Sequence, residues 1–92
     1  MSERVVQYCS VEIAAGVVGL SPGRVRHLVR VGLVRPAVVE RGRPLFGEGE
    51  LARLRRVRRL MTELGVNLAG VEIILRLTDE LAAARAISSE VD

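Results

Sequence analysis

SPGRVRHLVRVGLVRP, residues 21–36, has the start and the stop of one short helix written into it. Ser21 suits an N-cap, and Pro22 suits the first helical position, because its ring is pre-set for the helix and it has no N–H to leave unpaired. Gly32 suits the left-handed position just past the helix and Leu33 the hydrophobic residue after it, while Pro36 forbids continuation. The spacing predicts a helix from Pro22 to Val31. At about 100° per residue, Val25, Leu28 and Val29 share one face; Arg26, His27 and Arg30 share the opposite one, with Arg24 at the border. One face is built for burial and the other is cationic.

On the N-terminal side, Met1 to Tyr8 is a polar lead-in and Ser10 suits the cap of a first helix. Val11, Ala14, Ala15 and Val18 give that helix a narrow face of small residues, Gly16 weakens it by about 1 kcal/mol relative to Ala, and Gly19 ends it. Gly19-Leu20-Ser21 then leads straight into the basic helix. Two helices joined by so tight a turn are the helix-turn-helix layout.

On the C-terminal side, AVVERGRPLF, residues 37–46, has two short apolar runs about a Gly-containing turn and predicts a small hairpin, or wing, with Arg41 and Arg43 at its tip. Pro44 restricts the second strand to an edge. Gly47 begins a long helix, with Glu48 and Glu50 in the first turn, where the dipole favours acids, and Phe46 placed to staple onto Leu51. Leu51, Leu54, Val57, Leu60, Met61 and Leu64 make its apolar face, and Gly65 stops it. Arg53, Arg55, Arg56, Arg58 and Arg59 cover most of the remainder and read as a solvated face, with backbone contact to nucleic acid from Arg53, Arg56 or Arg59 as the lesser alternative. Asn67 suits the cap of a fourth helix with Leu68, Val71, Ile74 and Leu75 in a stripe. Thr78 either caps a last short helix or lets the chain continue with a bend. Leu77, Leu81, Ala84, Ser88 and Val91 follow a heptad spacing for about two repeats. Leu77, Leu81 and Ala84 are therefore candidates for an oligomer contact, against the plainer alternative of a helix packed on its own domain.

The expected fold is mainly α, a winged helix-turn-helix with a small hairpin wing and a short C-terminal helix. With no linker, repeat or low-complexity segment, residues 1–92 read as one domain: helix-turn-helix over 8–36, wing over 37–46, helical pair over 47–77, and short helix or tail over 78–92. A chain of this length holds a modest core, marginal alone unless well packed or dimeric. One Tyr and one Phe leave that core to Leu, Val, Ile and Ala.

Net charge is +3, but residues 21–59 hold eleven Arg against three Glu, while residues 60–92 hold two Arg against six acids. That segregation fits one surface meeting a polyanion and another that does not. The single Cys9 excludes an internal disulfide and suits a reducing compartment; no stretch reads as a membrane span or signal peptide, so the expected location is cytoplasmic. Cys9 has no evident charge partner and reads as structural rather than reactive. No second His or carboxylate pair stands at ligand spacing beside His27, and no phosphate loop, nucleophile elbow or acid–base pair is visible. No cofactor, metal or enzymatic activity is expected.

The order of elements resembles the winged helix-turn-helix domain of the MerR family, on SVEIAAGVVGLSPGRVRHLVRVGLVRP, FGEGEL and LGVNLAGVEIIL, over roughly Tyr8 to Leu81. Within it the last motif is most similar to two branches, the heat-shock repressors and the chaperone modulators that bind J-domains of DnaJ-like co-chaperones. The resemblance implies a base or backbone contact at Arg26; the next positions, often aromatic in the family, are His27 and Leu28. The positions of the Arg-Arg-Tyr type sequence that ends the wing in the family fall on Pro44, Leu45 and Phe46, and the nearest Arg residues are displaced to Arg41 and Arg43. The expected function is a sequence-specific DNA-binding transcription regulator, a repressor acting by occupancy because few residues remain to hold an effector. Its expected ligand is duplex DNA with an inverted repeat, read by a homodimer through Arg24, Arg26, His27, Arg30, Arg35, Arg41 and Arg43. The alternative is a chaperone modulator holding a J-domain on an acidic face of Glu63, Glu72, Asp79 and Glu80.

Overall fold

Side-chain caps start three of the four helices, at the positions expected. Ser10 Oγ accepts from the Ile13 N–H at 3.3 Å, Ser21 Oγ from the Arg24 N–H at 3.1 Å, and Asn67 Oδ1 from the Gly70 N–H at 2.8 Å. Each satisfies one of the donors that a helix N-terminus leaves open. The computed structural model describes residues 7–90; residues 1–6, most of the polar lead-in, and residues 91–92, with Val91 of the tail seam, lie outside the described residues, as does the Ser88 side chain. The order is α1 (Val11–Val18), α2 (Pro22–Arg30), β1 (Val38–Glu40), β2 (Arg43–Leu45), α3 (Glu48–Thr62) and α4 (Leu68–Glu90).

Two glycines turn the chain sharply where the sequence asked for it. Gly19 and Gly32 have φ of 81° and 80°. After α2 the Gly32 N–H donates to the Val29 carbonyl and the Leu33 N–H to the Leu28 carbonyl, at 3.1 and 3.0 Å. This is the Schellman arrangement, and Leu28 and Leu33 are both buried in the core beside it. The turn between α1 and α2 is also closed from outside: a Cβ on Gly19 would stand 3.1 Å from Nε of Arg58.

The wing is an antiparallel pair with Val38 opposite Leu45, Val39 opposite Pro44 and Glu40 opposite Arg43. Its two-residue turn is Arg41-Gly42, with φ of 52° and 75°. Positive φ at both central residues matches the twist of a hairpin. An Arg in that conformation costs about 1 kcal/mol of backbone strain, and it keeps a guanidinium at the tip. The wing is anchored by a pairing that the sequence did not announce. Cys9 and Phe46 exchange both backbone hydrogen bonds, at 2.9 and 2.8 Å, so the residues just before α1 extend the base of the hairpin. Desolvation there raises the Cys9 thiol above its ordinary pKa, which keeps it protonated and inert.

Val11, Ala14, Ala15 and Val18 of α1, Val25 and Leu28 of α2, and Leu51, Leu54 and Val57 of α3 are buried in one cluster with Leu33, Val34, Phe46, Val71 and Leu75. Phe46 and Leu51, the expected staple pair, are both buried in that cluster, and Glu50 completes the start of α3 by accepting the Gly47 N–H at 2.8 Å. Two expectations need correction. Leu64, assigned to the apolar face of α3, is 71% exposed, because α3 ends at Thr62 and Gly65 (φ 66°) has already turned the chain. The expected short C-terminal helix is not a separate element: the Thr78 hydroxyl donates to the Ile74 carbonyl at 2.7 Å within one α4 that runs from Leu68 to Glu90.

Candidate nucleic-acid interface

The exposed side of α2 is sorted by its neighbours into two flanks and a crest. On one flank Arg26 reaches α1, where its Nη2 donates to the Glu12 carboxylate. On the other, Arg24 Nη1 lies 3.4 Å from Met61 Sδ of α3, and His27 Nε2 lies 3.4 Å from Glu72 Oε1 of α4. Arg30 stands on the crest, and among the described residues its guanidinium has no side-chain hydrogen bond or ion pair; the same is true of the guanidinium groups of Arg35, Arg41 and Arg43 beyond the helix. Arg26 and the wing tip are brought together: Arg26, Glu12 and Ser10 line one groove of about 700 Å³ with Gly42, Arg43 and Pro44. Arg41 and Arg43 share a second concavity on the hairpin with Glu40 and Leu45. Arg24 and His27 are not part of that grouping. Arg35 is also apart, in a cleft lined by Arg53 and Asp79.

Helix position explains the division. At about 100° per residue Arg30 and Gly23 point furthest from the buried Val25 and Leu28, Arg26 lies to one side and His27 with Arg24 to the other. The sequence shows that these residues are off the core, but not which neighbouring helix each will meet. The Arg24, His27, Glu12 and Glu72 relations all join residues of different elements, 14 to 45 positions apart. Charge complementarity at long range was the sole available signal.

A bridging residue that periodicity misplaced is Arg53. Read as part of a solvated face, it is half-buried. Its Nε donates to the backbone carbonyl of the buried Leu33, and its two Nη atoms hold Asp79 of α4 in a fork at 3.0 and 2.7 Å. Hydrogen bonding from Arg53 lowers the Asp79 pKa, outweighing the opposing desolvation, with the charges of Arg53 and Arg56 adding to the lowering. Arg53 therefore joins the loop leaving α2 to the long C-terminal helix. Arg56 adds a 3.5 Å contact to the Thr78 hydroxyl.

α4 carries a stripe on the side away from the core. Leu77 and Leu81 are 59% and 51% exposed, Ala84 is exposed one turn further along on the same side, and Ile73 and Ile87 extend the stripe at either end. Ile73 lies four residues before Leu77 and Ile87 three after Ala84, a spacing visible in the sequence.

The model of a family described as MerR HTH family regulatory protein matches residues 10–88, which takes in both helices of the turn, the wing, α3 and most of α4. The chain belongs to the MerR family. Membership of the MerR family points to a regulatory protein. A protein of Streptomyces coelicolor (strain ATCC BAA-471 / A3(2) / M145) named as heat shock protein HspR is 34% identical over 82 residues, covering 88% of this chain. The chain spans about half, 54%, of that relative's length. Among the described residues of this MerR member, no helix is long and apolar enough to cross a membrane, and no three His, Cys, Asp or Glu side chains gather closely enough to hold a metal ion.

Proposed function

We propose that the protein is a sequence-specific regulator of transcription that binds duplex DNA through α2 and the wing and represses by occupying a promoter. The observation that carries this reading is the groove shared by Arg26 of α2 and Arg43 of the wing tip, with Arg30 on the crest beside it. A helix of this diameter fits the major groove, where Arg offers a fork to guanine O6 and N7. The wing then falls along the backbone, where Arg41 and Arg43 neutralise phosphates and position the domain. Arg35, further round, is a phosphate contact at most, and Arg24 and His27 support the interface from its α3 and α4 side. Likeness to a protein named as a heat shock protein makes heat-shock promoters the proposed targets.

Selection of genomic duplex fragments by the purified protein at about physiological salt tests this, since nonspecific phosphate binding is then suppressed. Enrichment of a defined motif is expected, and Arg26→Ala should lose about 1–3 kcal/mol of affinity with relaxed choice at one base pair. Equal loss on every sequence would make Arg26 a phosphate contact, and no enrichment by folded protein would favour J-domain docking. That alternative is less well supported: of the acidic face it needs, Glu72 is occupied by His27 and Asp79 by Arg53.

The exposed stripe of α4 supports a homodimer through Leu77, Leu81 and Ala84, and hence an inverted repeat, because a two-fold protein imposes its symmetry on the site. Glu at both Leu77 and Leu81 is expected to halve the mass in sedimentation without lowering helicity, since neither side chain belongs to the core. An unchanged mass would remove the stripe from the interface.

A further inference from the structure

Arg26 is central to the proposed reading, yet it is not a free cation. Glu12, in the first turn of α1, accepts from its Nη2. The two side chains are 52% and 62% exposed, and an exposed pair of this kind contributes little to a fold. It nevertheless sits on the lining of the groove that also holds Arg43. A carboxylate there is carried with α2 towards any polyanion that the groove receives, and it is repelled by phosphate.

We propose that Glu12 is a specificity-determining residue: by taking up one donor of Arg26 it turns a phosphate-seeking cation into an oriented, nearly neutral fork that reads a base edge. The inference rests on the reading of α2 as the DNA-recognition helix. A guanidinium has five N–H donors in one plane, so engagement of one leaves an adjacent pair for two acceptors. Guanine O6 and N7 are neutral and meet that pair without approaching a second anion. A phosphate oxygen at the same donors lies beside the Glu12 carboxylate. Glu12 thus weakens the wrong complexes more than the right one, and specificity is that difference.

The test compares the full chain, Glu12→Gln, Arg26→Ala and the double variant on two duplexes, the fragment most enriched by the wild type and a scrambled duplex of equal length and composition. Glu12→Gln is expected to bind the scrambled duplex about three- to tenfold more tightly, with a log–log salt slope steeper by about 0.9, the value for one more phosphate contact. The ratio of the two affinities falls by a similar factor, and in the Arg26→Ala background Glu12→Gln no longer changes that ratio. Glu12→Asp, which keeps the charge but is too short for the contact, lowers the ratio by weakening the enriched duplex, and it serves where Glu12→Gln melts early. Equal changes on both duplexes would make Glu12 a general repulsive charge and overturn the proposal alone. A wild type with no preference between the duplexes overturns it together with the DNA reading beneath it.

Discussion

Phe46→Ala is expected to cost about 3–5 kcal/mol of folding stability, the range for removing a fully buried aromatic ring. Phe46 is 0% exposed and is the one aromatic residue of the core. It sits where three parts of the chain meet. Its backbone pairs with Cys9, it follows directly on β2, and its ring packs in the same cluster as Leu51 at the start of α3. The surrounding Leu, Val and Ala side chains are held by helices whose caps fix them, so they cannot collapse far into the space the ring leaves. A 92-residue domain has about 5–14 kcal/mol in all. The variant is therefore expected to melt roughly 12–40 °C lower, at about 4–8 °C per kcal/mol. Urea unfolding followed by circular dichroism measures the loss directly. Phe46→Leu, which keeps most of the volume, should lose less than half as much; an equal loss would place the energy in ring shape rather than burial.

Phe46 also marks the boundary of what the sequence discloses. Features that act through local chemistry were legible: the caps at Ser10, Ser21 and Asn67, the glycines that end helices at 19 and 32 and the Gly-containing turn of the wing each follow from residues within a few positions of one another. The buried faces of α1 and α2 were legible for the same reason, since periodicity is a local property. The pairing of Cys9 with Phe46 was not, because backbone hydrogen bonds carry no side-chain signature. Leu64 was misplaced because its spacing continues the stripe of α3 past the point where the helix stops. Thr78 is chemically suited both to capping and to bonding the carbonyl one turn back, and the packing of α4 decides between them.

The candidate interface divides along the same line. That Arg26, His27 and Arg30 lie off the core is a matter of helix phase. That Arg26 meets Glu12 while His27 meets Glu72 depends on how α1 and α4 are laid against α2, a tertiary relation. Arg53 is the clearest case. Among five arginines on one helix, nothing local distinguishes the one that bridges two other elements from those that face solvent.

Arg53→Met is expected to destabilise the protein by about 2–3 kcal/mol, most of it from the Leu33 carbonyl rather than from the ion pair. Leu33 is 3% exposed and its carbonyl receives the Arg53 Nε, so removing the donor leaves a buried acceptor without its bond. Asp79, by contrast, is 54% exposed, and its share is held to about 1 kcal/mol or less by solvent screening. Asp79→Asn separates the two contributions. Because Arg53 lowers the Asp79 pKa from 3.8, the stabilisation from this carboxylate is complete above that value and is lost as pH falls through the lowered one. The stability difference between wild type and Asp79→Asn should therefore be constant from neutral pH down to about 4 and close below it, whereas the Arg53→Met deficit should retain its larger part at every pH. Arg53→Lys should fall between, since one ammonium can serve the carbonyl or the carboxylate but has no planar fork to hold both. The consequence reaches beyond stability. Leu33 lies in the turn that fixes the end of α2, and Asp79 lies on the helix that carries the exposed Leu77 and Leu81. If that stripe joins two copies, the spacing of their α2 helices is set through Arg53. Arg53→Met should then lose affinity for an inverted repeat by more than its unfolded fraction explains, while binding to a single half-site is unchanged; equal loss on both would confine Arg53 to the fold.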